Sequence, residues 1–225
     1  MLEMHKLFII IAGKKHARDS DFFYQIQFDD DGRMVNFFWV DARSRLAYQT
    51  FGDVITFDTT YKTNKYIMPF APLTGLNHHL QSTLFGCALF QDEYEISFIW
   101  LFETWLKAMS GKKSVSIITD QDIAIGGVVA KVFPEARHRL CLWHIMNKFP
   151  TKLAHIYHKK STFKRELKRC IRDSPAIKDF EDDWKHIMDK YELENNDWLI
   201  KLFEIRESWI PIYNKSTFFA GMNTT

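Results

Sequence analysis

The chain has 225 residues, 46% of them hydrophobic, and carries 30 Lys and Arg against 28 Asp and Glu for a formal net charge of +2. That content is ample for the core of one sizeable domain, or of one domain with an insertion, and it excludes a disordered chain. So small a net charge excludes a global field that recruits nucleic acid, so any basic surface has to be local.

The N-terminal "HKLFIIIAGKK" is far too short to span a membrane and stands at the lower limit of a signal h-region; lysines close it with no small-residue cleavage site after them, so a buried strand or a helix fragment is expected. The three cysteines, Cys87, Cys141 and Cys170, are odd in number and widely spaced, which argues against a disulfide framework and for a reducing, intracellular setting. No membrane partner is expected.

From Phe22 the text turns strand-like: "FFYQIQF", the turn "DDDGR", then "MVNFFWV", two apolar runs about an Asp-Gly turn that predict a β-hairpin. "DARSRLAYQTFG" has helical spacing and a glycine stop. "DVITFD" is an apolar strand ending on Asp58, and "MPFAPLTGLN" and "STLFGCALFQ" are further β-rich runs separated by "HHLQ". In "EISFIWLFETWLKAM" the period changes, placing Ile96, Ile99, Trp100, Phe102 and Leu106 on a long amphipathic helix. "SVSIITD" is a second apolar strand ending on an aspartate, Asp120, followed by a helix in "DIAIGGVVAKVF" and a short strand in "RHRLCLWH" that ends at Cys141 to His144.

Strands alternating with helices late in this order imply a mixed sheet with helices on its faces. Functional groups of such sheets collect at the carboxyl ends of strands, where both Asp58 and Asp120 fall. Two carboxylates on adjacent strand ends suit a divalent metal with hard oxygen ligands, and the competing reading is two structural aspartates. Asp122 falls at the start of the next helix, where a carboxylate ordinarily stabilises the helix end.

Beyond residue 145 the strand signal stops and charged helical text takes over. Lys148, Lys152, Lys159, Lys160, Lys164, Arg165, Lys168, Arg169 and Arg172 come first, with Glu166 the sole acid among them, and residues 173–207 are predominantly acidic. The basic run, Lys159, Lys160, Lys164, Arg165, Lys168 and Arg169 above all, is the best nucleic-acid candidate, and a solvated helix face explains it equally well.

"FFWVDARSRLAYQTFGDVITFDTTYKTNKYIMPFAPLTGLNHHLQSTLFGCALFQDE" and "IITDQDIAIGGVVAKVFPEARHRLCLWHI" closely resemble the Mutator-like (MULE) transposase domain of the plant FAR-RED IMPAIRED RESPONSE and FAR-RED ELONGATED HYPOCOTYL family. The resemblance implies an α/β, ribonuclease H-like mixed sheet interrupted by an all-helical insertion. The expected organisation is an N-terminal hairpin and helix over residues 1–50, the core over 51–145, the insertion over 146–212 and the start of a return segment over 213–225. In such transposases an acid triad binds two divalent metals, Mg2+ or Mn2+, and cuts DNA; Asp58 matches the first position and Asp120 the second. In similar sequences the third acid follows a run like "STFFAGMNTT", and the expectation is that this chain stops before it. Glu204 and Glu207 are the candidate substitutes, on what reads as a solvated helix face.

Cys141 and His144 match the C-x-x-H element that Mutator-like elements carry after the second acid. They are half of a tetrahedral zinc site, so zinc is not expected from this chain alone; a buried Cys with a packed or hydrogen-bonded His is the competing reading, and Cys170 or His138 would be further ligands only without supporting spacing. His78 and His79 either face the metal site or form an inter-strand turn. The resemblance further implies a domesticated, transposase-derived transcription regulator in the nucleus, acting in light-controlled development. Without its flanking zinc-finger modules, direct sequence-specific DNA binding is not expected, whereas association with itself or with full-length relatives is. The alternatives are an active metal-dependent strand-transfer enzyme and a non-catalytic interaction module.

Overall fold

A computed structural model describes residues 2–59 and 68–222 of the chain. They form two compact units, Met1–His138 and Arg139–Thr224.

The first unit opens with helix α1 (Leu2–Arg18), a continuous 17-residue helix where the sequence reads as a strand or a helix fragment. The run of isoleucines suggests a strand, but Phe8 and Ala12 pack on Phe22, Met34, Phe37 and Leu89, and that burial outweighs a weak local preference. Strands β1 (Phe23–Phe28) and β2 (Met34–Val40) form the expected antiparallel hairpin. Its turn is built by Asp29, whose Oδ1 accepts from the backbone N–H of Asp31 and Arg33, and by Gly32 at φ +72°.

Helix α2 (Ala42–Phe51) starts at Asp41, whose side chain accepts from Ser44 N, and stops at Gly52 as the sequence predicts. Three strands follow: β3 (Val54–Phe57), β4 (Phe70–Leu76) and β5 (Ser82–Phe90). Helix α3 (Glu95–Ala108) leads to β6 (Ser116–Thr119), and helix α4 (Ile123–Val132) leads to β7 (Arg137–Leu140). These strands make one mixed sheet in the order β1-β2-β5-β4-β3-β6-β7. Pairing is antiparallel except between β3 and β6, which run parallel, among the pairs with a described register.

Helices α2, α3 and α4 contribute Tyr48, Phe98, Leu101, Phe102, Trp105, Ile125 and Val128 to a core that also holds Phe38, Ile55, Phe57, Leu73 and Ile117 from the strands. The buried stripe of α3 differs from the expected one: Phe98, Leu101, Phe102 and Trp105 are buried, whereas Ile96 is 69% exposed and Ile99, Trp100 and Leu106 are only partly covered. This helix is apolar nearly all round, so periodicity alone does not choose its inner face.

The second unit is helical beyond the end of β7. It comprises α5 (Leu142–Lys152), α6 (Ala154–Tyr157), α7 (Ser161–Asp173), α8 (Ile177–Lys190) and α9 (Asp197–Glu204), then two 3-10 turns at Arg206–Ser208 and Pro211–Asn214. Helix α7 buries Phe163, Leu167, Cys170 and Ile171, and α8 buries Phe180, Trp184, Ile187 and Met188. Both sets repeat at i, i+4, i+7 and i+8, the stripe of a helix that is stable only when packed. Trp209 closes this core, its buried indole N–H donating to Leu202 O at 2.9 Å.

Candidate functional site

The central parallel pair sets the site. Register partners run Ile55 with Ile117, Thr56 with Ile118 and Phe57 with Thr119, so the next residues along the two strands are Asp58 and Asp120. Neighbouring strands lie about 4.8 Å apart, so two carboxylates leave the sheet side by side at its carboxyl edge. Beyond β3 the chain builds β4 and β5 to one side, and beyond β6 it builds β7 to the other. The two acids therefore stand where the chain leaves two neighbouring parallel strands for opposite sides of the sheet, the position of a topological switch point.

Side chains alternate across the pleat. Ile55, Phe57 and Ile117 pack into the core under α2, α3 and α4. The aspartates, one residue beyond Phe57 and Thr119, are directed by the alternation to the opposite face. Both are half-buried, and Oδ1 of Asp120 is shielded from solvent.

Below Asp120, the fully buried Thr119 hydroxyl meets Nε2 of His138 at 2.9 Å and donates to Asp120 O at 2.8 Å. Burial pushes the His138 imidazole down to about 4, so it is neutral at pH 7. With the Thr119 proton on Asp120 O, Nε2–H of the neutral imidazole donates to Thr119 Oγ1, and the ring adds no positive charge to the site. Asp122 does what its position predicts: it caps α4, accepting from Ile125 N at 2.9 Å.

The donor set fits a hard divalent cation, because Mg2+ takes one or two carboxylates and completes its shell with water or phosphate oxygens. Among the described residues no cluster of three or more His, Cys, Asp or Glu gathers that would hold a metal. His78 and His79 lie in the turn between β4 and β5. Because β4 runs antiparallel to β3, with Leu73 opposite Phe57, that turn is at the opposite edge of the sheet from Asp58. His78 stacks on Phe51 at 5.6 Å there.

Strand β7 ends at Leu140, earlier than the sequence reading of "RHRLCLWH" places it. Cys141 becomes the N-cap of α5, and His144 sits in that helix's first turn. Alternation of apolar and polar residues in "RHRLCLWH" hides the switch to helix. Cys141 is buried, and Cys170 is committed to packing: its thiol donates to Phe180 O at 3.7 Å and is pushed up to about 12 by burial. A thiol held protonated in this way is a poor zinc ligand.

Sequence reasoning passed over Arg139. It is buried, its guanidinium lies 4.3 Å from the centroid of Phe219, and it donates to Met222 O. Within the second unit this one side chain clamps the segment 219–222 to the start of the helical region. An Arg in a short strand carries no sequence signal for that role.

The basic residues are exposed along α7 and the turn before it. Lys159, Lys160, Lys164, Arg165, Lys168 and Arg169 all face solvent. Lys160 also covers the Tyr191 ring at 5.3 Å and Lys164 the Tyr157 ring at 5.4 Å. Glu166, the lone acid of this run, pairs at 2.8 Å with Lys190 of α8.

Residues 54–148 match the model of the MULE transposase domain family. Over 210 residues, 93% of this chain, it is 45% identical to Protein FAR1-RELATED SEQUENCE 5 of Arabidopsis thaliana, of which it covers 27%. It is 42% identical over 209 residues to Protein FAR1-RELATED SEQUENCE 7 and 40% identical over 204 residues to Protein FAR-RED IMPAIRED RESPONSE 1, both of Arabidopsis thaliana, covering 93% and 91% of this chain and 27% and 25% of those proteins. The chain thus spans about a quarter of the length of these curated relatives. Its two strand-end aspartates fall inside the segment that matches the MULE transposase domain, and over most of its length the chain is similar to FAR1-related proteins.

Proposed function

We propose that the chain is part of a transposase-derived nuclear regulator that keeps a two-carboxylate divalent-cation site. The observation that carries the reading is the parallel register of β3 and β6, which puts Asp58 and Asp120 side by side. The sheet order also supports it. The run β5-β4-β3-β6-β7 is the arrangement expected of a ribonuclease H-like core, with the hairpin of β1 and β2 added at one edge. On this reading the helical residues that follow are the insertion.

Asp58 and Asp120 are the residues that would hold Mg2+ or Mn2+. Such an ion, when bound, supplies Lewis-acid polarisation of a phosphoryl oxygen. The chain's own contribution is to fix the two carboxylates on rigid strand ends and to keep the neighbouring His138 uncharged. Relatives named for an impaired far-red response support placing the regulator in light-controlled development.

The test is calorimetric titration of Mg2+ and Mn2+ into the whole chain and into its Asp58→Asn and Asp120→Asn variants. Binding by the parent that both variants lose is the expected result. Equal heats in all three would leave the aspartates as structural residues and end the proposal. An active strand-transfer enzyme is the second reading, favoured by the retained aspartate pair. It predicts metal-dependent nicking of DNA by this chain, abolished by either Asn variant.

A further inference from the structure

The second unit holds a groove of about 610 Å3 between α5 and α7. One wall carries Trp143, 49% exposed, from the first turn of α5. The other carries Lys164, Lys168 and Arg172 of α7, with Ser161 at its upper end. All three cations are exposed.

We infer that this groove binds a single strand of nucleic acid, its phosphates along Lys164, Lys168 and Arg172 and one unpaired base on Trp143. The spacing favours it. Residues at i, i+4 and i+8 share a helix face and follow one another at ~6 Å along the axis. That step is close to the separation of successive phosphates in one strand, so three cations can meet three phosphates in sequence. An acidic peptide would satisfy the charges but has no use for an exposed indole beside them. A duplex keeps its bases stacked and paired, out of reach of the Trp143 face, whereas an unpaired base offers a π-face to it.

The rest of the unit directs a polyanion to this side. Another groove of the unit, of about 600 Å3 along α8 and α9, is lined by five acids, Glu181, Asp182, Asp189, Glu194 and Glu204, against two cations, Lys185 and Arg206. Within the α5–α7 groove no acid is among the lining residues. The short range of screened Coulomb forces makes the local sign decisive even though the whole chain is nearly neutral.

This inference rests on reading the chain as one that handles nucleic acid, but not on the aspartate pair. The experiment is fluorescence anisotropy of a labelled mixed-sequence 12-nucleotide single strand titrated with the whole chain at several salt concentrations. Three phosphate contacts predict a slope of log K against log salt of about −2. Trp143→Ala is expected to weaken binding about tenfold and Trp143→Phe much less, as loss and retention of one stacked base. The triple variant Lys164→Gln, Lys168→Gln, Arg172→Gln should flatten the salt dependence, whereas Lys201→Gln on α9 should change nothing. Circular dichroism of each variant checks that it is folded.

A duplex of equal length binding as tightly, with Trp143→Ala unchanged, would overturn the single-strand assignment. Polyglutamate competing as well as the oligonucleotide would reduce the groove to a general polyanion surface, and no binding at low salt would remove it altogether. Asp58→Asn is expected to bind the strand normally. Unchanged strand binding in a variant that has lost metal would separate this site from the metal reading.

Discussion

Phe57 and Thr119 are register partners on adjacent parallel strands, and Asp58 and Asp120 are the residues that follow them. The backbone ladder therefore sets the two carboxylates on neighbouring strand ends. Replacing either acid should remove cation binding while leaving the sheet intact. Asp58→Asn and Asp120→Asn are expected to keep the parent's thermal transition within a few degrees in the absence of metal. The parent alone should gain a higher transition temperature on adding millimolar Mn2+, by the linkage of binding to folding. A metal-induced shift of equal size in both variants would place the ion elsewhere.

Asp122 separates a structural carboxylate from the candidate ligands two residues away. Its side chain caps α4 through Ile125 N. Asp122→Ala should cost about 1 kcal/mol in urea denaturation. Cation affinity should be unchanged, and its loss would make Asp122 a ligand.

His138 predicts a specific pH dependence. Burial holds its imidazole at about 4 in the folded chain, against about 6.5 when unfolded. Between those values the unfolded chain binds a proton that the folded chain does not. Stability contributed by this residue is thus fully present above pH 6.5 and is lost as pH falls towards 4. The loss is on the order of 3 kcal/mol at most. Denaturation of the parent and of His138→Gln at pH 7, 5.5 and 4.5 should show a steeper decline in the parent, and parallel declines would refute the assignment.

Arg139 joins two distant parts of the second unit through Phe219 and Met222 O. Arg139→Lys keeps the charge but loses the planar stack, and should destabilise by about 1–2 kcal/mol. Arg139→Ala also leaves Met222 O without this donor and should cost about 2–4 kcal/mol. Limited proteolysis is the direct readout: both variants are expected to be cut faster within residues 216–222, and alanine faster than lysine.

Gly75 lies where β4 passes close to its neighbours. An added Cβ would fall 2.3 Å from the Phe85 ring and 2.8 Å from Val54 O. Gly75→Ala should therefore destabilise by about 1–3 kcal/mol, through displacement of Phe85 or opening of the sheet at the start of β3. A neutral denaturation midpoint would mean that the sheet relaxes there freely.

Much of this was legible in the sequence because it is local chemistry. Apolar runs broken by a carboxylate marked the ends of β3 and β6, an Asp-Gly turn marked the hairpin, and Asp41 with Gly52 bracketed α2. Where the local signal is ambiguous the sequence misleads. The isoleucine-rich start is a helix because its packing partners lie on strands formed later in the chain, and α3, apolar nearly all round, takes its inner face from the sheet. "RHRLCLWH" alternates like a strand, yet its second half is helix.

The sequence by itself determined which residues carry charge, where the strands of the hairpin and of the central sheet run, and that Asp58 and Asp120 end two of them, since these follow from side-chain period and polarity over a few residues. Only the tertiary structure decided that those two strands are parallel neighbours, that the paired histidines are at the far edge, and that Trp143 shares a groove with the α7 cations. Register and packing are set by contacts between segments tens of residues apart, and no local pattern encodes them.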